Sequence, residues 1–208
     1  MSLVFFDFDG TLTTSDTIWP FASLLCGNGG RHASRHSVLC SLLTLKLRLT
    51  SNHQFKEQLL QKLVQGQPET FIRKQTDEFH ASQLEPVLNH SVVRSLLDHV
   101  DQGDQVYLVS SNFDFFLEPL LCRWRLKGIF ATQAEVRYGY FTGRIVGRAC
   151  DGEEKLDRVR SHFDERSIRE AVAYGDSRGD AALLASVGTA HWIGQRLRFD
   201  FPRIVPPA

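Results

Sequence analysis

Near its start the chain reads LVFFDFDGTLT, residues 3–13, a short apolar run that ends in two aspartates and a glycine. The run Leu3–Phe6 predicts a buried strand, and the residues from Gly10 to Thr14 predict a polar turn. Asp7 and Asp9 would point the same way on an ideal strand, but the strand ends here and the turn can aim them differently. Two carboxylates buried close together repel each other, and a divalent cation relieves that repulsion.

Strand patterns return in the second half of the chain and alternate with helical ones. Val106–Val109 and Ala171–Tyr174 are short apolar runs followed by Ser-Ser-Asn and Gly-Asp, and a further strand is predicted near Ala190–Ile193. Helices are predicted between them, over 113–125, 153–162 and 181–185. This alternation predicts an α/β fold with a doubly wound, Rossmann-like parallel sheet. Such sheets bind ligands at the carboxyl ends of their strands.

The long segment after the first turn shows helical patterns and no convincing strand. We predict an α/β core from residues 1–14 and 91–208, with an inserted all-helical cap domain over 15–90. Within the cap, Val38–Leu49 predicts an apolar helix and His53–Gln65 predicts a second helix that Gly66 ends. Gln133–Val146 alternates polar and apolar residues and predicts a hairpin within the core.

Composition excludes several classes of function. Lys plus Arg equals Asp plus Glu, 24 each, so bulk charge does not argue for a nucleic-acid partner and none is expected. The four cysteines are scattered, which favours reduced thiols in a cytosolic protein. Asp7 comes too early for a signal peptide, and Val38–Leu49 is shorter than the roughly 20 residues of a membrane span. We therefore expect a cytoplasmic protein without a transmembrane segment.

A basic cluster, Arg31, His32, Arg35 and His36, precedes the apolar helix. A solvated helix face explains it, and contact with an anionic substrate or a membrane surface is left open.

Four motifs resemble those of the haloacid dehalogenase superfamily of phosphohydrolases. Asp7–Thr11 resembles its first motif, and Val109–Asn112 is similar to its second. Lys155 and the segment Gly175–Asp180 resemble the third and fourth. They occur in the family's order and cover the whole chain. The helical insert after the first motif is similar to the cap of the phosphoserine phosphatase-like branch.

The resemblance implies a role for each of these residues. Asp7 is the nucleophile that forms an aspartyl phosphate, and Asp9 is the general acid and base. Mg²⁺ is held by Asp7, the backbone carbonyl of Asp9, and Asp176. The implied phosphate-binding residues are Ser110, Ser111, Thr11 and Lys155. Asp180 orients Lys155 or a metal-bound water.

The expected function is magnesium-dependent hydrolysis of a small phosphate monoester. Within the superfamily, an aspartate at the position of Asp9 implies a leaving group that needs a proton. Two alternatives stay open: a phosphotransferase or mutase on the same site, and a non-catalytic binding protein that keeps the fold. The identity of the substrate and the oligomeric state are not predicted.

Two residues bear on the substrate. Phosphoserine phosphatases of this branch have a glutamate nine residues after the nucleophile, where this chain has Asp16. Their cap arginine grips the substrate carboxylate, and the similar helix here has Lys62 in its place. Lysine cannot form the bidentate contact of arginine. Free phosphoserine is therefore not expected to be the main substrate.

Overall fold

The computed structural model describes residues 1–27 and 52–194. The basic cluster Arg31–His36 and the apolar helix predicted over Val38–Leu49 lie outside the described residues. In the described residues, no helix is both long and apolar enough to cross a lipid bilayer. Of the cysteines that fall within them, Cys26, Cys122 and Cys150 are free thiols.

Among the residues that the structure describes, five strands form the main sheet, in the order β3-β2-β1-β6-β7. The strands are β1 (Leu3–Phe6), β2 (Gln105–Phe113), β3 (Gly128–Thr132), β6 (Val172–Gly175) and β7 (Thr189–Trp192). The first strand is central: β1 pairs in parallel with β2 on one side and with β6 on the other, and β6 pairs in parallel with β7. Val4, Phe5 and Phe6 are fully buried, as expected for a strand covered on both faces of the sheet.

Helices connect these strands. They are α1 (Ile18–Gly27), α2 (Asn52–Leu63), α3 (Glu69–Phe79), α4 (His90–Asp101), α5 (Asp114–Leu117), α6 (Pro119–Arg123), α7 (Glu153–Arg160), α8 (Glu165–Glu170) and α9 (Ala181–Ser186). The helix predicted over 113–125 is interrupted, since α5 and α6 are separate short helices. The α/β fold class with a Rossmann-like parallel sheet is confirmed.

The described residues divide into two compact units. The first consists of Met1–Asp16, Val87–Ala131 and the described part of Cys150–Ala208, and it contains the main sheet. The second consists of the described part of Thr17–Pro86 together with Thr132–Ala149, and it contains α1, α2 and α3.

The hairpin is the main departure from the predicted domains. It forms as predicted, from antiparallel strands β4 (Ala134–Arg137) and β5 (Tyr140–Ile145), but it belongs to the helical unit rather than to the core. A Cβ on Gly143 of β5 would lie 3.1 Å from the backbone of Gln61 in α2, so the strand packs closely on that helix. A second unit that is all helical was therefore the wrong expectation, because packing between segments far apart in the chain leaves no local sequence signal.

Candidate active site

Three neighbouring strands of the first unit bring the motif residues to one edge of the sheet. Asp7 directly follows β1, Ser110 lies near the end of β2, and Asp176 directly follows β6. Because β1 pairs in parallel with both β2 and β6, these carboxyl ends meet at the same edge. Strand β2 continues to Phe113, past the predicted end at Val109, so Ser110 is part of the strand and not of a loop after it.

The turn after β1 depends on Gly10. Its φ of 84° lies in the left-handed region that glycine adopts readily. A Cβ at this position would lie 2.4 Å from Oδ2 of Asp176, closer than any side chain tolerates. Gly10 thus allows the first turn to approach the carboxylate of Asp176 directly.

Lys155 lies in the first turn of α7 and is 2% exposed. Its Nζ donates to Oδ1 of Asp7 at 2.7 Å and to Oδ1 of Asp180 at 2.5 Å. Both carboxylates are buried as well. Buried charges are stable only when they are paired and hydrogen-bonded, so these three side chains depend on one another.

Asp180 connects this lysine to the loop that carries Asp176. Its second oxygen, Oδ2, accepts from the backbone N–H of Asp176 at 3.2 Å and from that of Ser177 at 2.9 Å. The hydroxyl of Ser177 donates to the same oxygen at 2.8 Å. Both oxygens of Asp180 are therefore occupied, one by Lys155 and the other by the loop.

The charges of this site perturb one another. Burial, together with the charge of Asp180, raises the pKa of Asp7 well above its ordinary value, and Lys155 opposes that shift. Burial and Asp180 also raise the pKa of Asp176, which a hydrogen bond from Thr11 opposes. For Lys155, burial disfavours the charged form, but Asp180 and Asp7 outweigh it and raise the pKa. Such perturbed groups in one cluster are typical of functional sites.

Asn112 and Ser110 form a second part of the site, beside Asp9. The side-chain amide of Asn112 donates to Oδ2 of Asp9 at 2.8 Å, and its backbone N–H donates to Oγ of Ser110 at 3.2 Å. Ser110 is almost completely buried. Within residues 1–27 and 52–194 its own hydroxyl proton has no acceptor, so that proton is available to a phosphoryl oxygen.

Phosphate binding was also predicted for Thr11 and Ser111, whose surroundings differ from those of Ser110. Thr11 is fully buried, and its hydroxyl donates to Oδ1 of Asp176 at 3.2 Å. Its single hydroxyl proton is thus used on the carboxylate of Asp176, and phosphate binding by Thr11 stays a prediction. Ser111 is half-buried beside Ser110.

Asn112 and Ser177 were not assigned a role from the sequence. Both lie inside the motifs already identified, next to residues with assigned roles. The sequence signal that could have identified them is a polar side chain near the end of a strand, since such groups need partners when buried.

The two residues expected to choose the substrate lie in different units. Asp16 belongs to the first unit and is exposed. Lys62 is half-buried in the last turn of α2, in the second unit. The same helix also carries Lys56, which is only 6% exposed. The predicted role thus falls on the more accessible of the two lysines.

Together, the Rossmann-like parallel sheet and the buried charged centre at its carboxyl edge are those of a hydrolase with an α/β core. Over residues 4–185 the chain matches the family model of the haloacid dehalogenase-like hydrolases. It belongs to that family, and its relatives place it in the phosphoserine phosphatase-like branch.

Three relatives show how far the similarity extends. A phosphoserine phosphatase from Polaromonas sp. is 27% identical over 194 residues, which cover 89% of this chain and 76% of that protein. Phosphoserine phosphatase SerB1 of Mycobacterium tuberculosis is 36% identical over 94 residues, 44% of this chain and only 30% of the relative's length. The crystal structure of a Bordetella pertussis protein of unknown function superposes with a TM-score of 0.84 at 25% identity, covering 92% of this chain and 89% of that one.

The acidic residues fit the divalent cation that the family implies. Carboxylate oxygens of Asp7, Asp176 and Asp180 lie within 4.8 Å of one another, and Nζ of Lys155 contacts two of these carboxylates. Hard oxygen ligands with an excess of negative charge suit Mg²⁺. Asp180 already uses both of its oxygens, so Asp7 and Asp176 are the side chains that would hold it.

Proposed function

We propose that this chain is a magnesium-dependent phosphatase that hydrolyses a small phosphate monoester through an aspartyl phosphate on Asp7. The observation that supports this best is the environment of Asp7. Its carboxylate is buried at the carboxyl edge of the sheet and accepts a hydrogen bond from Lys155 at 2.7 Å. A nucleophilic carboxylate needs a fixed orientation and a nearby positive charge that stabilises the phosphoryl oxygens in the transition state.

The described side chains account for each step. A carboxylate oxygen of Asp7 attacks phosphorus, and Asp9 gives a proton to the leaving alkoxide oxygen. Asp9 then takes a proton from the water that attacks the aspartyl phosphate. Lys155 balances the charge on the phosphoryl group, and Ser110 donates its proton to a phosphoryl oxygen. Mg²⁺, held by Asp7, Asp176 and the backbone carbonyl of Asp9, would offset the repulsion among the carboxylates and the phosphate.

The covalent step can be tested directly. Enzyme quenched during turnover of 4-nitrophenyl phosphate and treated with borohydride should carry homoserine in place of Asp7, because borohydride reduces an acyl phosphate to the alcohol. Peptide mass spectrometry locates the change. Steady turnover with unmodified Asp7 would exclude this mechanism. Release of inorganic phosphate in water alone, without an added alcohol, distinguishes the phosphatase from a phosphotransferase.

Magnesium should be required for turnover. Chelation should stop the reaction, and added Mg²⁺ should restore it, while Ca²⁺ should inhibit because its looser coordination misplaces the nucleophile. Asp176→Ala should need at least about tenfold more Mg²⁺ for half-maximal activity, since one ligand is lost. Asp98→Ala, which removes an exposed carboxylate from α4, is the control and should leave the requirement unchanged. Full activity in excess chelator would contradict the proposal.

Phosphoserine should not be the preferred substrate. Asp16 is one methylene shorter than glutamate, and Lys62 cannot form two parallel hydrogen bonds with a carboxylate, so both predicted anchors of a small zwitterion are weakened. Values of kcat/KM for phosphoserine and for sugar, nucleotide and lipid phosphates measure the preference. The double variant Asp16→Glu, Lys62→Arg should improve phosphoserine relative to the other esters. The prediction is wrong if wild-type enzyme prefers phosphoserine by tenfold or more, about 1.4 kcal/mol.

A further inference from the structure

Asn112 lies at the end of β2 and is fully buried. A buried asparagine needs partners for its amide, and backbone groups nearby would be enough to satisfy it. Here the amino group instead reaches Asp9, a residue 103 positions away in the chain, at 2.8 Å. This contact joins the end of β2 to the turn after β1.

The orientation of the amide is set by the backbone. Oδ1 of Asn112 accepts from the N–H of Phe113 at 2.7 Å, and only an oxygen can do so. The amino group must therefore be the end that faces Asp9, and it can only donate. Because Nδ2 donates to Oδ2 of Asp9, the proton that Asp9 transfers belongs on its other oxygen, Oδ1.

The same residue also orients Ser110. The backbone N–H of Asn112 donates to Oγ of Ser110 at 3.2 Å. Because the oxygen of Ser110 accepts this bond, its hydroxyl proton points away from the N–H. One residue thus contacts both the side chain proposed to bind the phosphoryl group and the side chain proposed to protonate the leaving group. A small displacement of either side chain would slow the reaction, since proton transfer requires the two groups to be within hydrogen-bond reach.

We propose that Asn112 is the positioning residue of the general acid, which holds the carboxyl of Asp9 so that Oδ1 carries the proton toward the leaving group. The inference rests on the proposed phosphatase function. The proposed role of Asn112 differs from those of Ser110 and Lys155, because these two residues act on the phosphoryl group and Asn112 acts on the general acid. A misplaced general acid matters for a poor leaving group and hardly at all for a good one, so the effect of Asn112 should depend on the ester.

The test compares kcat/KM for an alkyl phosphate with that for 4-nitrophenyl phosphate, whose leaving group needs little protonation. kcat/KM reports the step that expels the leaving group. In Asn112→Ala the value for the alkyl phosphate should fall at least tenfold more than the value for the aryl phosphate. The ratio of the two values does not depend on how much of the preparation is folded. Asn112→Asp, which keeps an acceptor for Phe113 but loses the donor to Asp9, should show the same change in ratio.

A second comparison shows whether Asn112 acts through Asp9. In an Asp9→Asn background, Asn112→Ala should leave the ratio unchanged, because residues that act as one unit are not additive. Asn89→Ala is the control: it removes another asparagine of the first unit, one that accepts from Ser91, and should not alter the ratio.

The possible failures are distinct. Equal losses on both esters in the two Asn112 variants, or a further change of the ratio in the Asp9→Asn background, would overturn the role of Asn112. If wild-type enzyme turned over neither ester with Mg²⁺, or did so without Asp7, the proposed function itself would fail.

Discussion

Asp7→Asn should abolish turnover, with a loss on the order of 10³-fold or more, because the amide has nearly the shape of the carboxylate but is not a nucleophile. The amide oxygen can still accept the hydrogen bond that Lys155 donates to Asp7. Phosphate release from 4-nitrophenyl phosphate at saturating Mg²⁺ measures the effect. Activity above about 1 per cent of wild type, beyond what contamination explains, would mean that another group attacks phosphorus.

The same variant should not be destabilised. The pKa of Asp7 is raised by burial and by Asp180. An acid whose pKa is higher in the folded protein than in the unfolded chain costs stability at every pH at which it is ionised in the unfolded chain. Removing that charge relieves the cost, so in chelator at pH 7 the melting temperature of Asp7→Asn should equal or exceed that of wild type. A clear fall in melting temperature would show that the lysine needs the full charge of Asp7.

Lys155→Met should cost both stability and activity. Methionine nearly fills the same volume, but Asp7 and Asp180 then lose the cation that lies 2.7 and 2.5 Å from them. Removing one partner of a buried ion pair typically costs about 3–5 kcal/mol. The loss of a cation beside the reacting phosphoryl group should lower kcat by about 10²-fold or more. Urea unfolding and phosphate release measure the two effects.

Two further variants support that measurement. Lys127→Met removes an exposed lysine of the first unit and should change stability by less than about 0.5 kcal/mol. Adding Asp7→Asn to Lys155→Met should recover part of the lost stability, since one unpaired carboxylate is removed. The ion-pair interpretation fails if Lys155→Met stays within about 1 kcal/mol of wild type, or if the double variant is less stable than the single one.

The strand pattern and the four motifs predicted the sheet edge that carries the site. Leu3–Phe6 is a strand, Asp7 follows it, and Asp176 follows another parallel strand three motifs later. These features were visible because apolar runs, glycines and acidic residues at strand ends are local. The end of β2 was less predictable. The end of the strand at Phe113 depends on its neighbours in the sheet, which the local pattern does not contain.

The sequence by itself determined the fold class, the order of the motifs and the chemical types of side chain at the site. The tertiary structure decided which of them meet. Lys155 reaches Asp7 across 148 positions, Asn112 reaches Asp9 across 103, and Thr11 donates to Asp176 across 165. The hairpin likewise joins the helical unit, although it follows β3 in the chain. The physical reason is that a hydrogen bond depends on the geometry of two groups within about 3 Å, while periodicity and spacing report only on neighbours in the chain.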